Sequence, residues 1–334
     1  MSDIREQTTA FLMAVCRRTV KPLGAIAAAG MWVVLIMGAT VTNTGSQTGC
    51  GPSWPLCRGQ FIPQFAVSTF IEFSHRAVVG IESVLILAFA VAAWVLYHRR
   101  PDVRFLVATM VLFLFLQAGL GAWAVMAPQE AAVLALHFGV SLIAFATVVL
   151  AAFLVFEIDG ADQVRDRPYP SLFGMYVWVV TIFSYGVVYL GAYVRHRNAD
   201  DACTGWPLCN GRVMPNLHGL VGPAFAHRLA ALVLTLGVGG IILWSARFRE
   251  SRPDLFRASL AAGILVLLQA LSGALVAATR MDLFSALAHA GTVALLFGSL
   301  SYLCLHLTRR PAEKTADARA VSAPAAAQRL TTGS

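Results

Sequence analysis

Residues 131–156 read AAVLALHFGVSLIAFATVVLAAFLVF, a run of 26 positions with one histidine and no charged side chain. A helix needs about 20 apolar residues to span the hydrocarbon core of a bilayer, so this stretch predicts a transmembrane helix. Of the 334 residues, 58% are hydrophobic and 13% are charged, whereas soluble domains carry about 25% charged residues. We therefore predict an all-α membrane protein. Its eight predicted transmembrane helices cover 23–42, 70–97, 104–126, 131–156, 172–194, 222–245, 257–279 and 283–306.

The net charge of the chain is +8, which could indicate a nucleic-acid partner. The predicted spans instead sort the 25 basic residues by side: 18 fall on one side, five on the other and two inside spans. Basic residues collect on the cytoplasmic side of membrane proteins. This distribution predicts that both termini are cytoplasmic, and it accounts for the positive charge without a nucleic acid.

The sequence contains an internal duplication. A shift of 152 positions places the motif Trp-Pro-Leu-Cys at 54–57 on the same motif at 206–209. The pairs that keep this register include His75 and His227, Arg76 and Arg228, Gln117 and Gln269, and His137 and His289. Four spans per half give the halves the same orientation, so we predict two tandem pseudo-symmetric four-helix bundles. The predicted units are a cytoplasmic N-terminus at 1–22, a first bundle at 23–156, a cytoplasmic linker at 157–171, a second bundle at 172–306 and a disordered cytoplasmic tail at 307–334.

Four histidines, His75, His137, His227 and His289, fall within or at the ends of predicted spans. In each half the two are 62 residues apart, and both enter even-numbered helices from the outer side. Two imidazoles at equal depth on different helices can bind one metal from opposite sides. With two ligands per half, haem iron fits better than zinc, which takes three or four protein ligands. A lone intramembrane histidine more often packs between helices, but four in duplicated register favour ligation.

Acidic residues beside the histidines differ between the halves. Glu72 lies three positions before His75 on the same helical face, and its repeat partner is Ala224. Glu82 lies seven positions after His75, and its partner is Leu234. Carboxylates are costly inside a membrane and are usually retained for a function, so we predict that the chemistry belongs to the first half. The alternative is that either glutamate pairs with a neighbouring arginine or faces the bundle interior.

Two arginines, Arg76 and Arg228, each follow directly after a membrane histidine. An arginine near the membrane surface can bind a haem propionate through a bidentate contact. The alternative is that the side chains extend to lipid headgroups and need no ligand. We predict the propionate contact.

Four cysteines lie in the two long outer loops. Outside the cytoplasm, paired cysteines usually form disulfides, and spacings of six and five residues match neither a zinc ribbon nor covalent haem attachment. We predict the disulfides Cys50–Cys57 and Cys203–Cys209. A more specific alternative is that Cys50 and Cys57 form a redox-active pair.

The segment EFSHR at 72–76 resembles the Glu-x-x-His-Arg signature of haem A synthases. The four membrane histidines, the eight spans and the paired loop cysteines are also similar to that family, over about residues 23–306. The resemblance implies an oxidoreductase that converts haem O to haem A by oxidising the C8 methyl group of the porphyrin to a formyl group. Haem A then serves terminal cytochrome oxidases.

The family resemblance also implies roles for single residues. His75 and His137 would hold the substrate haem O, and His227 and His289 would bind a permanent haem b. The signature glutamate falls on Glu72, which we predict to be catalytic because a carboxylate in low dielectric can stabilise electron-poor states or accept protons. The implied location is a bacterial plasma membrane, with the haem sites near its extracytoplasmic face. Pathway logic suggests a haem O synthase and cytochrome oxidase assembly proteins as partners.

Two other functions fit part of this pattern. A di-haem b cytochrome that transfers electrons from a quinol also needs two bis-histidine sites, but transfer across the membrane would place its haems at different depths. A transporter also uses duplicated bundles, but it would have helices broken near their middle. The enzyme is the favoured hypothesis.

Overall fold

The computed structural model describes residues 2–127, 130–158 and 167–308. These residues contain no β-strand and form eight helices that are each long and apolar enough to cross a membrane, which confirms the predicted all-α membrane class. The helices are α1 Ser2–Asn43, α2 Val67–Tyr97, α3 Pro101–Met126, α4 Ala131–Ile158, α5 Ser171–His196, α6 Val221–Ser245, α7 Pro253–Thr279 and α8 Leu283–Thr308.

The helix ends lie within four residues of the predicted spans, except at the start of α1. That helix begins at Ser2 instead of 23, because the basic residues before the apolar run are good helix formers and Pro22 does not end the helix. The predicted linker at 157–171 lies outside the described residues from 159 to 166. The predicted tail at 307–334 lies outside them from 309 onward.

The segment Arg-Pro-Asp begins α3 at 100–102 and α7 at 252–254. Proline suits the first helical position, since its missing N–H would have no partner there, and aspartate favours the positive end of the helix dipole. In both halves the arginine donates two hydrogen bonds to this carboxylate, at 3.2 and 2.8 Å in the first and at 3.0 and 2.8 Å in the second. The duplicated sequence therefore starts both helices in the same way.

Helix α4 lies inside the molecule and packs on α1, α3, α5 and α8. The first and last helices are also in contact: the indole of Trp32 on α1 donates to the backbone oxygen of Gly291 on α8 over 3.1 Å. A Cβ at Gly291 would lie 2.8 Å from Ile36, so the glycine is what lets these helices approach. Large apolar side chains such as Phe105 and Leu243 cover the outer surface, as expected against lipid.

Two long loops connect α1 to α2 and α5 to α6. The first contains the disulfide Cys50–Cys57 and the second contains Cys203–Cys209, with Cα–Cα distances of 4.5 and 4.8 Å. Both predicted disulfides are therefore confirmed, and both loops lie at the same end of the helices as the four membrane histidines.

Candidate functional site

A cavity of about 1070 Å³ opens between the helices of the two halves. All four predicted histidines, His75, His137, His227 and His289, line it, and most of the remaining wall is apolar. Pockets for single small ligands usually measure about 300–1,000 Å³, so this cavity has room for a large ligand. The structure thus brings together the residues that the duplication predicted.

Each of these histidines faces a glycine on the preceding helix. A Cβ would lie 3.4 Å from the Cε1 atom of His75 if added at Gly38, and 2.6 Å from that of His227 if added at Gly191. The third and fourth histidines repeat this arrangement, with Cβ distances of 3.3 Å for Gly121 against His137 and 3.1 Å for Gly273 against His289. A Cβ at Gly191, Gly273 or Gly121 would crowd its imidazole, whereas one at Gly38 would reach only ordinary contact. The four glycines form a cradle for the rings. The sequence contained a signal for this cradle that the repeat analysis missed. Gly38 and Gly191 are 153 positions apart, as are Cys50 and Cys203, the first cysteines of the two loops.

The imidazoles differ in what holds them. The buried Nδ1 atoms of His75 and His137 in the first half, and of His227 in the second, have no hydrogen-bond partner among the described residues. In the second half, Nδ1 of His289 lies 3.0 Å from the hydroxyl of Ser272 and 3.1 Å from the amide nitrogen of Gln269. Partners of this kind fix the orientation of a ligand histidine. The two histidine pairs therefore occupy equivalent positions in the two halves, but only the second pair contains a ring that other side chains hold, His289.

Glu72 is buried, and both its carboxylate oxygens contact groups of the protein. Oε2 accepts a hydrogen bond of 2.8 Å from the backbone N–H of Cys50, and Oε1 forms a 2.5 Å ion pair with Arg76. The alternative that a glutamate pairs with Arg76 is therefore realised for Glu72, although this residue also lines the cavity. The carboxylate joins the disulfide loop to the face of α2 that carries His75.

The two arginines hold the loops in equivalent ways. Arg76 donates from Nη1 to the backbone oxygens of Ser53 at 2.7 Å and Leu56 at 3.1 Å. Arg228 donates from Nη1 to the equivalent oxygens of Gly205 and Leu208 at 2.8 and 2.9 Å. Both guanidinium groups also line the cavity, so propionate binding stays a prediction beside this loop-holding role.

Arg195 is a residue of the cavity wall that sequence reasoning missed. It joins the ends of two helices, since it donates to the side-chain oxygen of Asn43 over 2.9 Å and to that of Asp200 over 3.1 Å. Burial raises the pKa of the Asp200 carboxyl, although Arg195 acts in the opposite direction. The contact between Arg195 and Asn43 joins residues 152 positions apart, so no local sequence pattern could predict it.

Known proteins are similar to this chain over most of its length. The family described as cytochrome oxidase assembly protein matches residues 62–301. Heme A synthase from Geobacillus kaustophilus is 42% identical over 306 residues, which are 90% of this chain and 96% of the relative. The enzyme of that name from Shouchella clausii is 43% identical over 88% of this chain and 98% of its own length. A third, from Symbiobacterium thermophilum, is 41% identical over 82% of this chain and 90% of its own length. Such identity over nearly whole chains means that this protein belongs to the haem A synthase family.

Proposed function

We propose that this protein is an oxidoreductase that makes haem A by oxidising the C8 methyl group of haem O to a formyl group. The substrate would bind between His75 and His137 in the first half, and a permanent haem b between His227 and His289 in the second. The observation that carries this proposal is one cavity lined by two histidine pairs, with the carboxylate of Glu72 three residues before His75 in the first half and Ala224 at the equivalent position in the second.

The residues of the cavity fit haem. Each half offers two imidazoles on different helices, and a glycine beside each ring keeps the space around it open. The apolar wall suits a porphyrin, and imidazole is a common axial ligand of haem iron. When bound, haem b supplies a one-electron carrier, and its potential is set by its axial ligands and their surroundings.

The side chains around His289 support the proposed roles of the halves. Ser272 and Gln269 hold His289, as expected of a ligand to a cofactor that stays bound. In the first half, leucine occupies the position equivalent to Ser272, and Nδ1 of His137 has no partner among the described residues. A histidine pair with fewer restraints suits a substrate that must enter and a product that must leave.

Glu72 and Arg76 prepare the first half for chemistry. Their ion pair holds the disulfide loop over the cavity, which limits the access of water to the reacting methyl group. A carboxylate in this setting is suited to stabilising positive charge that develops during oxidation. Arg76 and Arg228 would in addition contact the haem propionates from the loop side.

The two-fold organisation and the orientation are part of the same proposal. Contacts of α1 with α2 and α4 recur as contacts of α5 with α6 and α8, which supports two pseudo-symmetric bundles at 23–156 and 172–306. The distribution of 18 basic residues against five supports cytoplasmic termini. The haem sites would then lie near the extracytoplasmic face of a bacterial plasma membrane. A haem O synthase and cytochrome oxidase assembly proteins are the proposed partners, as supplier and users of the haem.

The proposal is tested by identifying the haems that the protein carries. We expect protein purified after co-expression with a source of haem O to release haem A, or its hydroxylated precursor, together with haem B on acid–acetone extraction and reversed-phase chromatography. Haem B alone, at two per chain, would contradict the synthase and indicate a di-haem cytochrome. The absence of any haem would contradict both and leave a transporter.

The glycine cradle gives a test of the second site. We expect Gly191→Ala to weaken retention of haem b by about tenfold or more, because the new Cβ would lie 2.6 Å from the ring of His227. The matched control is Gly38→Ala, whose Cβ would lie 3.4 Å from His75, an ordinary contact, and which should keep haem b. The measurement is haem b per protein after purification. Equal retention in both variants would contradict the cradle.

A further inference from the structure

Glu82 is a buried carboxyl that the proposed roles of the histidines and of Glu72 leave unexplained. It lies seven residues beyond His75 on α2, which corresponds to about 10 Å along the helix. Its exposed fraction is 4%, its Oε1 atom has no hydrogen-bond partner, and no basic side chain among the described residues forms an ion pair with it. On the facing helix α1, Gly30 leaves the space that the carboxylate occupies, since a Cβ there would overlap Oε2.

Gln117 on α3 faces the same small space. Its side chain is buried, and its Oε1 atom also lacks a partner among the described residues. Its repeat partner Gln269 also has a buried Oε1 atom without a partner in the described part of the chain, but its amide nitrogen contacts the ring of His289, and the partner of Glu82 is Leu234. The first half alone therefore places two unsatisfied buried oxygens at one point.

The space between Glu82 and Gln117 is a pocket of about 10 Å³. This is close to the ~10–15 Å³ that a single water molecule requires. A water has two hydrogens to donate, and both Oε1 atoms can accept. One water would therefore satisfy both oxygens, whereas a direct contact between the two acceptors would satisfy neither.

This small pocket adjoins the main cavity. Val34, Val79 and Leu114 line both spaces, so the water site lies directly behind the wall of the first histidine pair. Beyond it, Ile86 and Phe89 are buried in the apolar core. A proton on Glu82 can therefore exchange with the first half of the cavity through this shared wall.

We propose that Glu82 and Gln117 bind one water molecule and that Glu82 is a proton-accepting residue serving the first half alone. The inference rests on the proposed function, because the oxidation R–CH3 + H2O → R–CHO + 4 H⁺ + 4 e⁻, with the electrons passed to an electron acceptor, releases protons where the substrate binds. The bridging water passes a proton to an oxygen of Glu82 and takes up another from the cavity side. No ion pair has to break when Glu82 gains or loses this proton.

Infrared spectroscopy of the purified holoprotein tests the site without relying on turnover. We expect a carboxyl C=O stretching band that appears when the pH is lowered and Glu82 takes up its proton, shifts in heavy water, is absent in Glu82→Gln, and is displaced but present in Gln117→Leu, where the water loses one acceptor. The matched control is Glu130→Gln, an exposed glutamate before α4, which should leave the band unchanged. Persistence of the band in Glu82→Gln, or no displacement in Gln117→Leu, would overturn the proposal.

Haem measurements on the same variants separate this inference from the proposed function. We expect Glu82→Gln to retain haem b and to form haem A at least about tenfold more slowly than the unmodified protein. Formation of haem A at an unchanged rate would overturn the role of Glu82 while leaving the synthase intact. If the unmodified protein makes no haem A, the proposed function fails, and the infrared result alone then decides whether the water site exists.

Discussion

Replacing His227 with alanine should remove haem b from the purified protein, lowering its content at least about tenfold. The reason is that two imidazoles are assigned to each proposed site, so the loss of one removes the ligand that the iron would have on that side. His289, although held by Ser272 and Gln269, cannot replace a ligand that comes from the opposite helix. The measurement is the haem B extracted per mole of protein, together with its absorption spectrum.

The matched control for this change is His75→Ala in the first half. That variant should keep haem b at the level of the unmodified protein and lose the ability to form haem A. If both variants lose haem b equally, the division of labour between the halves is wrong. If His227→Ala keeps its haem, the assignment of haem b to the second histidine pair is wrong.

Replacing Glu72 with alanine should lower haem A formation by about 10²–10³-fold while haem b remains bound in the second half. The change removes the carboxylate beside the first histidine pair and frees both the N–H of Cys50 and the guanidinium of Arg76. Arg76 still has two carbonyl partners in the loop, so the loop should stay near its place. Haem A and haem b are measured on the same preparation.

Glu72→Gln distinguishes the charge of the carboxylate from its hydrogen bonds. The amide can still accept from Cys50 but cannot form the ion pair with Arg76. We expect this variant to keep the loop and haem b, and to be nearly as inactive as the alanine variant. Recovery of activity in Glu72→Gln would show that only the hydrogen bond matters, and loss of haem b in either variant would make Glu72 a folding residue.

The helices could be predicted from the sequence because each apolar run is long enough to span a membrane by itself. The duplication then found the histidines, since a repeated His at a repeated depth is improbable by chance. The sequence could not show which groups accept the hydrogen bonds of Arg76 and Arg228. Their partners are backbone oxygens in loops about 20 residues away, and every residue type carries such an oxygen.

The different surroundings of the two histidine pairs could not be predicted from the sequence for a related reason. Gln117 and Gln269 are identical residues at equivalent positions, yet one faces the pocket beside Glu82 and the other contacts His289. The neighbouring residues determine which contact each glutamine makes. The second half has Ser272 and Leu234 at the positions where the first has leucine and Glu82. Such a choice depends on packing across three helices and has no local periodic signal.

The contact between Trp32 on α1 and Gly291 on α8 has a consequence for biogenesis. Because α1 packs against α8 and both line the cavity, this wall is incomplete until α8 has been synthesised and inserted. A nascent chain with only its first four helices in the membrane would expose to lipid the surfaces of α1 and α4 that later contact α8. We expect the proposed haem b site, whose His289 lies on α8, to be loaded only after α8 has been inserted.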